Sequence, residues 1–487
     1  LLYWLQILFF SIFGVSEFAA RTGSALFGLG TAGALYVLGR SAEKSGLRAQ
    51  GSVAGAQGLS SGVDRDSVTP NKDPQPGGPE PGTLNSLRRT LNSSGKYFAL
   101  IAATSVGILA FSRGASFDII ITFPVTASLV GFYVYEKCSG SSRFTRNLSL
   151  AAFFVFLGVG LIAKGLIGAV FPIAIVTFYF VLARRWPSRH FIARLPLGLL
   201  LTAAVAALWY LPMFFRHGWE FWDEFFVQHH FQRYTSNKYR HPGPFWYFLA
   251  VLPVMTFPWI PFFAASVWKS IRRMVFRGRR RTAQPDFVDE FPDLVIFSFA
   301  WMLVPLVFFS LSGSKLPGYI LPALPPALVL TALFLCDAAK SARWKAAAIK
   351  LSAFLMLAGV SAILAFALPQ IAEQDSVKSM IRKADAGGYR GASILNMHTT
   401  SHNAEFYGAG RLVRDKYGRQ WRFLGVPGVA KYIKENGGKP VLVVIPFEFE
   451  RQLISSDLVS TEVIARNGEL VMFGVKARKT GENGNEN

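Results

Sequence analysis

Charged side chains are sparse in this chain, and the few that interrupt its apolar stretches are the ones placed to do chemistry. Lys164 lies in Ala-Lys-Gly between two hydrocarbon-like blocks, and Lys315 is flanked in the same way in Ser-Gly-Ser-Lys-Leu-Pro-Gly-Tyr. An ionisable group in such surroundings is costly, so function is its default explanation; the plain alternative is a lysine snorkelling from a helix end. Arg113, Arg233, Lys238 and Arg240 fall in the same set of connecting segments. Several cations converging on one cavity form an anion site, and an anion held at membrane depth points to a lipid phosphate. Asp118 opens an apolar stretch shortly after Arg113. It either pairs structurally with that arginine or belongs to the reacting site.

Other candidates are weaker. The stretch Phe214 to Tyr247 holds four of the seven histidines and the acids Glu220, Asp223 and Glu224. With Phe221, Trp222, Phe225 and Phe226 these acids describe an amphipathic interfacial helix with a solvated face. His229 and His230 are adjacent and so point to different faces of a helix, which argues against zinc. His398 and His402 have the spacing of a helical metal pair, but Thr399, Thr400 and Ser401 between them make a poor helix. Cys138 and Cys336 are isolated, with neither a disulfide framework nor a metal cluster in view. Walker and dinucleotide loops are absent, and Gly28, Gly30 and Gly33 read as small residues for helix packing, so no nucleotide, metal or other cofactor is implied.

The elements that must position these residues are transmembrane. Half of the 487 residues are hydrophobic (51%) and only 16% are charged, in blocks close to the ~20 residues that cross a bilayer. The net charge of +22 would also suit nucleic acid, but the basic residues sit in short segments beside apolar blocks, where positive-inside topology accounts for them. Leu1 to Gly14 reads as a re-entrant or interfacial helix, and Glu17 to Gly39 as the first span, with Glu17 and Arg21 able to pair across one turn. Ser41 to Ser94, rich in Gly, Ser and Pro, reads as a disordered cytoplasmic loop. Nine further blocks run from about Tyr97 to Leu368, giving roughly ten helices. Basic residues gather in alternate connections, which assigns those to the cytoplasm and the segments carrying Arg113, Lys164, Arg233, Lys315 and the tail to the outside. From Gln370 the chain is soluble in composition: Val441 to Ile445 a strand, Phe447 to Ser455 a helix, and Asn467-Gly468 a type I′ hairpin turn. The fold expected is mainly α, a polytopic transmembrane bundle over 1–369 with a small extracytoplasmic α/β domain over 370–487.

Several stretches, in order over about residues 1 to 336, resemble one family. They are Leu-Tyr-Trp-Leu-Gln and Phe-Gly-Val-Ser-Glu-Phe-Ala-Ala-Arg near the start, Ala-Lys-Gly around Lys164, His-His-Phe-Gln-Arg-Tyr with Pro-Phe-Trp-Tyr, and Ser-Lys-Leu-Pro-Gly-Tyr-Ile-Leu-Pro. The family is the integral-membrane glycosyltransferases of GT-C type, including lipid A aminoarabinose transferases and protein O-mannosyltransferases. The resemblance implies transfer of a sugar from a polyprenyl-phosphate donor to a lipid or protein acceptor at the outer face of the cytoplasmic (inner) membrane. It also implies phosphate ligation by Lys315, Arg233 and Tyr319, with Lys164 as a supporting charge beside Arg113, and no nucleic-acid partner. A phosphate leaving group needs cations more than a strong general acid. A carboxylate is wanted for the acceptor's proton or for sugar cation character, and Asp118 in Ser-Phe-Asp-Ile matches the family's second acidic position loosely. The family's first acidic residue and its early lysine would both precede Leu1, so the chain reads as an amino-terminally truncated fragment. Two rival readings are a transporter or flippase for polyprenyl-linked glycans, which predicts broken helices and charges at mid-membrane, and a catalytically inactive binder.

Overall fold

The computed structural model describes residues 1–60, 94–137, 142–222, 243–275, 286–367 and 376–478, with the backbone alone for 45–60. Two compact units result, Leu1–Leu357 and Ala358–Asn487. His229, His230, Arg233, Lys238, Arg240, Cys138 and most of the expected 41–95 loop lie outside the described residues.

The first unit is a multi-pass membrane bundle. Seven helices among the described residues are long and apolar enough to cross a bilayer, nine if each of two bent pairs counts as one span. With the 16-residue helix Ile167–Leu182 these account for all ten apolar blocks. In chain order the helices are α1 (Leu2–Phe13), α2 (Glu17–Ser60), α3 (Ser94–Ala103), α4 (Val106–Arg113), α5 (Phe117–Lys137), α6 (Arg143–Lys164), α7 (Ile167–Leu182) and α8 (Arg189–Trp222). Then come α9 (Tyr247–Met255), α10 (Ile260–Val275), a single turn Phe287–Glu290, α11 (Pro292–Ser310), a 3₁₀ segment Pro317–Ala323, α12 (Leu324–Ser341) and α13 (Arg343–Ala362).

Helix α5 is the centre. It is apolar all round, so it has no face for solvent, and it packs on α2, α6, α7 and the 3₁₀ segment. Its hydroxyls are satisfied within the helix: Thr122 donates to Asp118 O (2.6 Å) and Thr126 to Thr122 O (2.7 Å). Phe132 is fully buried among Phe153, Tyr179, Phe180, Phe191 and Phe297, which ties α5 to α6, α7, α8 and α11. Helix α2 comes close to α4 through Gly28 and to α5 through Gly30, where it lacks side chains. A Cβ on Gly28 would fall 1.8 Å from Ser112 Oγ, and one on Gly30 2.7 Å from Phe123. Gly33 meets nothing within 4 Å, so the packing role expected of it is not there.

Three departures from expectation have physical reasons. Helix α2 continues through Ser60, well past Gly39, so the loop expected from Ser41 is helical over 41–60. Ser41, Ala42 and Glu43 are buried, and that packing outweighs their loop-like composition. The block at Tyr97 is broken into α3 and α4 with a 57° bend, and the block at Phe245 into α9 and α10 with a 117° bend. The breaks meet each other. Val106 N donates to Phe257 O at 2.8 Å, so a backbone group at one break is taken up by a backbone group at the other, and Trp259 Nε1 donates to Thr104 Oγ1 beside them at 3.1 Å. Composition carries no sign of the first break, since Thr104-Ser105 contains neither proline nor glycine, whereas the second holds Pro258.

In the second unit a mixed five-stranded sheet has the order β2-β1-β3-β5-β4. The strands are β1 (Ile394–Met397), β2 (Arg422–Phe423), β3 (Val441–Pro446), β4 (Val459–Arg466) and β5 (Leu470–Ala477). Strand β3 pairs in parallel with β1 and antiparallel with β5. Its near-continuous apolar run is buried on both faces: Val441, Val443 and Ile445 pack with Val429 and Ile433 of helix Val426–Glu435, while Leu442 and Val444 pack with Met380 and Ile381 of helix Val377–Ala384. The β4–β5 hairpin is present, but its turn is not type I′, because Gly468 lacks the positive φ that such a turn requires. Asn467 instead stands first in the turn, its Oδ1 accepting from Glu469 N (3.0 Å) and Leu470 N (2.6 Å). His398 lies in the turn after β1, its ring hydrogen-bonded to Gln452 (2.7 Å), whereas His402 opens the short helix His402–Tyr407. The pair therefore shares no helix face.

Candidate active site

Asp118 and Lys164 meet at 2.5 Å, and the meeting follows from where each falls on its helix. Asp118 lies in the first turn of α5 and Lys164 in the last turn of α6, the ends whose dipoles favour a negative and a positive charge respectively. The start of α5 is fixed by Ser116, whose Oγ accepts from Asp118 N (3.1 Å) and whose own N–H donates to Ser24 Oγ on α2 (3.2 Å). The end of α6 is fixed by Gly165 in the left-handed region (φ +68°) and by Tyr210, which donates to Leu161 O (2.8 Å). Both charged side chains remain about one-fifth to one-quarter exposed, so the pair is a reachable one rather than a sealed structural bridge. Asp118 thus pairs with Lys164, and the structural partnership with Arg113 considered from sequence is replaced. Arg113 ends α4 with an exposed side chain.

The 3₁₀ segment forms the opposite wall. Pro317, Pro322, Pro325 and Pro326 remove backbone donors and fix φ, which favours a tight turn of 3₁₀ helix running into α12. Trp301 Nε1 anchors that junction by donating to Pro322 O at 3.0 Å. Gly318 brings the backbone against the carboxylate: a Cβ there would lie 1.9 Å from Asp118 Oδ2 and 2.8 Å from Phe111. Its role is space, since it has no positive φ. The next residue, Tyr319, places its ring 5.3 Å from Lys164 Nζ.

Lys315 is the most buried lysine of the site, 7% exposed. Its ammonium donates to the carbonyls of Ser310 (2.8 Å) and Ser312 (2.9 Å) at the end of α11, with Phe309 O at 3.5 Å. A cation there complements the α11 dipole, and the third of its donors is only weakly used. Burial pulls its pKa below the ordinary lysine range. Lys315 also lies 5.7 Å from the ring of Phe248, and Phe248, Phe309 and Tyr319 form a contiguous aromatic slab. The two lysines therefore stand at opposite margins of one slab, Lys164 over Tyr319 and Lys315 over Phe248.

Asp118, Lys164, Tyr319 and Lys315 are thus brought together, Arg113 is at the rim of α4, and Arg233 lies outside the described residues. Gly318, Ser116 and the aromatic slab were not singled out by sequence reasoning. Gly318 was visible only as a letter inside Lys-Leu-Pro-Gly-Tyr, because the group that needs its missing side chain is about 200 residues away in the chain. Among the described residues, no three His, Cys, Asp or Glu side chains are grouped as a metal site would need.

Comparison with known proteins agrees with this architecture. The chain is 28% identical over 229 residues to the undecaprenyl phosphate-alpha-4-amino-4-deoxy-L-arabinose arabinosyl transferase of Aeromonas salmonicida, covering 47% of this chain and 38% of that protein. It is 30% identical over 227 residues to the enzyme of the same name from Pseudomonas aeruginosa PAO1, with 46% and 38% covered. The matched region thus spans about two-fifths of the length of these relatives. The fold is similar to that of the crystal structure of ArnT from Cupriavidus metallidurans bound to undecaprenyl phosphate, with a TM-score of 0.64, 18% identity, and 97% of this chain and 87% of that one covered. Residues 83–387, more than half of the chain and including Asp118, Lys164, Lys315 and Tyr319, match the Alg9-like mannosyltransferase family, and the chain belongs to that family.

Proposed function

We propose that this chain transfers a sugar from a polyprenyl-phosphate donor to a lipid or protein acceptor at the outer face of the cytoplasmic membrane, with residues 370–487 on that same side. The observation that carries the reading is the reachable Asp118–Lys164 pair beside Tyr319, with Lys315 at the other margin of the aromatic slab. Lys164, Lys315 and Tyr319, with Arg113 and Arg233, are the groups assigned to the donor phosphate. As the sugar–phosphate bond breaks, negative charge grows on the leaving phosphate, and preorganised cations stabilise it without a proton being needed. Lys315 is suited to this because its ammonium has one weakly used donor. Asp118 is assigned to the acceptor's proton or to the cationic sugar, and its ion pair with Lys164 fixes where the carboxylate stands. Family membership and the named transferase activity of the relatives support the class of reaction.

The transporter reading finds less support. The two broken helices it calls for are present, but their breaks close on each other through Thr104, Val106, Phe257 and Trp259, with no ionisable residue among them. The test is binding and transfer in proteoliposomes with an undecaprenyl-phosphate sugar. The wild-type chain is expected to bind undecaprenyl phosphate in preference to undecaprenol, and Lys315→Ala to lose that preference. Equal binding of phosphate and alcohol would remove the site assignment.

A further inference from the structure

A second lipid-facing feature lies away from the Asp118 site, where α6, α7 and α8 enclose a cavity of about 580 Å³. Its body is apolar, formed by Phe153, Leu157, Ile173, Phe180, Phe191 and Leu199, and its mouth carries Arg184, Arg185 and Trp186. At about 30 Å³ for each water-sized group, the space holds on the order of 20 methylenes, close to one acyl chain.

The mouth is built in an unusual way. Helix α7 ends in a Schellman motif, with Arg184 N donating to Val181 O (3.1 Å) and Arg185 N to Phe180 O (3.2 Å). The left-handed position of that motif normally takes glycine, yet here it is Arg184, at φ +51°. A disfavoured backbone state is retained by an arginine whose side chain is exposed and for which no ion pair is found among the described residues. Arg185 is partly engaged: one guanidinium nitrogen pairs with Glu136 at 3.5 Å and the other contacts Tyr179 Oη. Its Nε, however, is buried and has no hydrogen-bond partner. Trp186 beside them is 91% exposed, as an indole at the headgroup level of a membrane would be.

We propose that this cavity binds an anionic membrane phospholipid, one acyl chain between α6, α7 and α8 and the phosphate on Arg184 and Arg185. In the topology used above, this places the lipid in the cytoplasmic leaflet, on the side opposite the transfer site. The occupant is argued from charge and medium. A zwitterionic lipid would supply the chain but add an ammonium beside two guanidinium groups, whereas phosphatidylglycerol brings the phosphate alone.

The purified chain, stripped of lipid in detergent, is titrated with dioleoyl phosphatidylglycerol and with dioleoyl phosphatidylethanolamine and read by native mass spectrometry. The wild type is expected to hold one phosphatidylglycerol at least tenfold more tightly than phosphatidylethanolamine. Arg184→Ala, at an exposed position, should bring the two lipids to within about threefold. Leu199→Trp, which fills the cavity, should lose both while the melting temperature is kept. Lys164→Ala, which disables the transfer site, should leave phosphatidylglycerol binding unchanged, so that failure of one site is told apart from failure of the other. Equal affinity for the two lipids in the wild type, or no effect of Arg184→Ala, would overturn the proposal. Displacement by one equivalent of undecaprenyl phosphate would overturn it as well, reassigning the cavity to a polyprenyl tail, and displacement by millimolar inorganic phosphate would reduce it to an ion site.

Discussion

Helix α5 spans about 30 Å between two very different electrostatic settings. At its Lys137 end, Glu136, Asp286, Asp289, Glu290, Asp293 and Asp337 meet Lys137, Arg185, Lys269, Arg273 and Lys340 in pairs that each join separate helices or turns. At its Asp118 end, one carboxylate meets Lys164, and Lys315 holds only backbone carbonyls. The first arrangement is near charge balance and works as a clamp. The second has more positive charge than its own acid offsets, a condition that leaves room for an anion. Charge at a helix end is thus uninformative by itself; what separates a fastener from a binding site is whether its partners are already all protein.

That contrast can be broken in graded steps. The largest effect is expected from Asp118→Asn, which should lower transfer by about 10²-fold or more while leaving the melting temperature within a few degrees. A variant that transfers at the wild-type rate would mean that the acid lies elsewhere. Gly318→Ala comes next: its methyl needs space that the carboxylate occupies, and displacement of about 1 Å at a reacting group costs on the order of 10²-fold. The double variant tests whether the methyl acts through the carboxylate, since Gly318→Ala combined with Asp118→Asn should add little to Asp118→Asn alone. At the other end of α5 the readout changes from rate to stability. Lys340→Ala leaves Glu290, 12% exposed, without its lysine and should cost about 1–3 kcal/mol with no change in transfer per folded molecule. Lys137→Ala should be the mildest, about 1 kcal/mol or less, because Asp293 is 42% exposed. A loss of turnover in Lys137→Ala or Lys340→Ala, at unchanged stability, would erase the distinction between clamp and site.

What could be read from sequence follows the same division. The ten apolar blocks were visible because a bilayer imposes length and composition on each span independently of its neighbours. Lys164 and Asp118 were visible because a charge inside apolar sequence is conspicuous, and their helix-end positions were implied by the blocks. Features decided by a distant partner were not visible. The pairing of Asp118 with Lys164 rather than Arg113 depends on the antiparallel packing of α5 and α6. Gly318 is explained only by the carboxylate it faces, and Lys315 by carbonyls that the end of α11 leaves unpaired. In the second unit β3 was legible from its apolar run alone. The turn after β4 was not, because Asn467 can stabilise it from a position other than the one its Asn-Gly dipeptide advertises.

The paired breaks in the two bent spans have a consequence for folding. Val106 N–H and Phe257 O satisfy each other, and Thr104 and Trp259, which do the same beside them, are 155 residues apart in the chain. A bare amide in hydrocarbon costs several kcal/mol. The bent form of segment 94–113 therefore leaves an amide in its middle whose partner is supplied by residue 257 of the second bent span. The first bend is thus matched to the second, and its folded form is complete only when the two bent spans are docked.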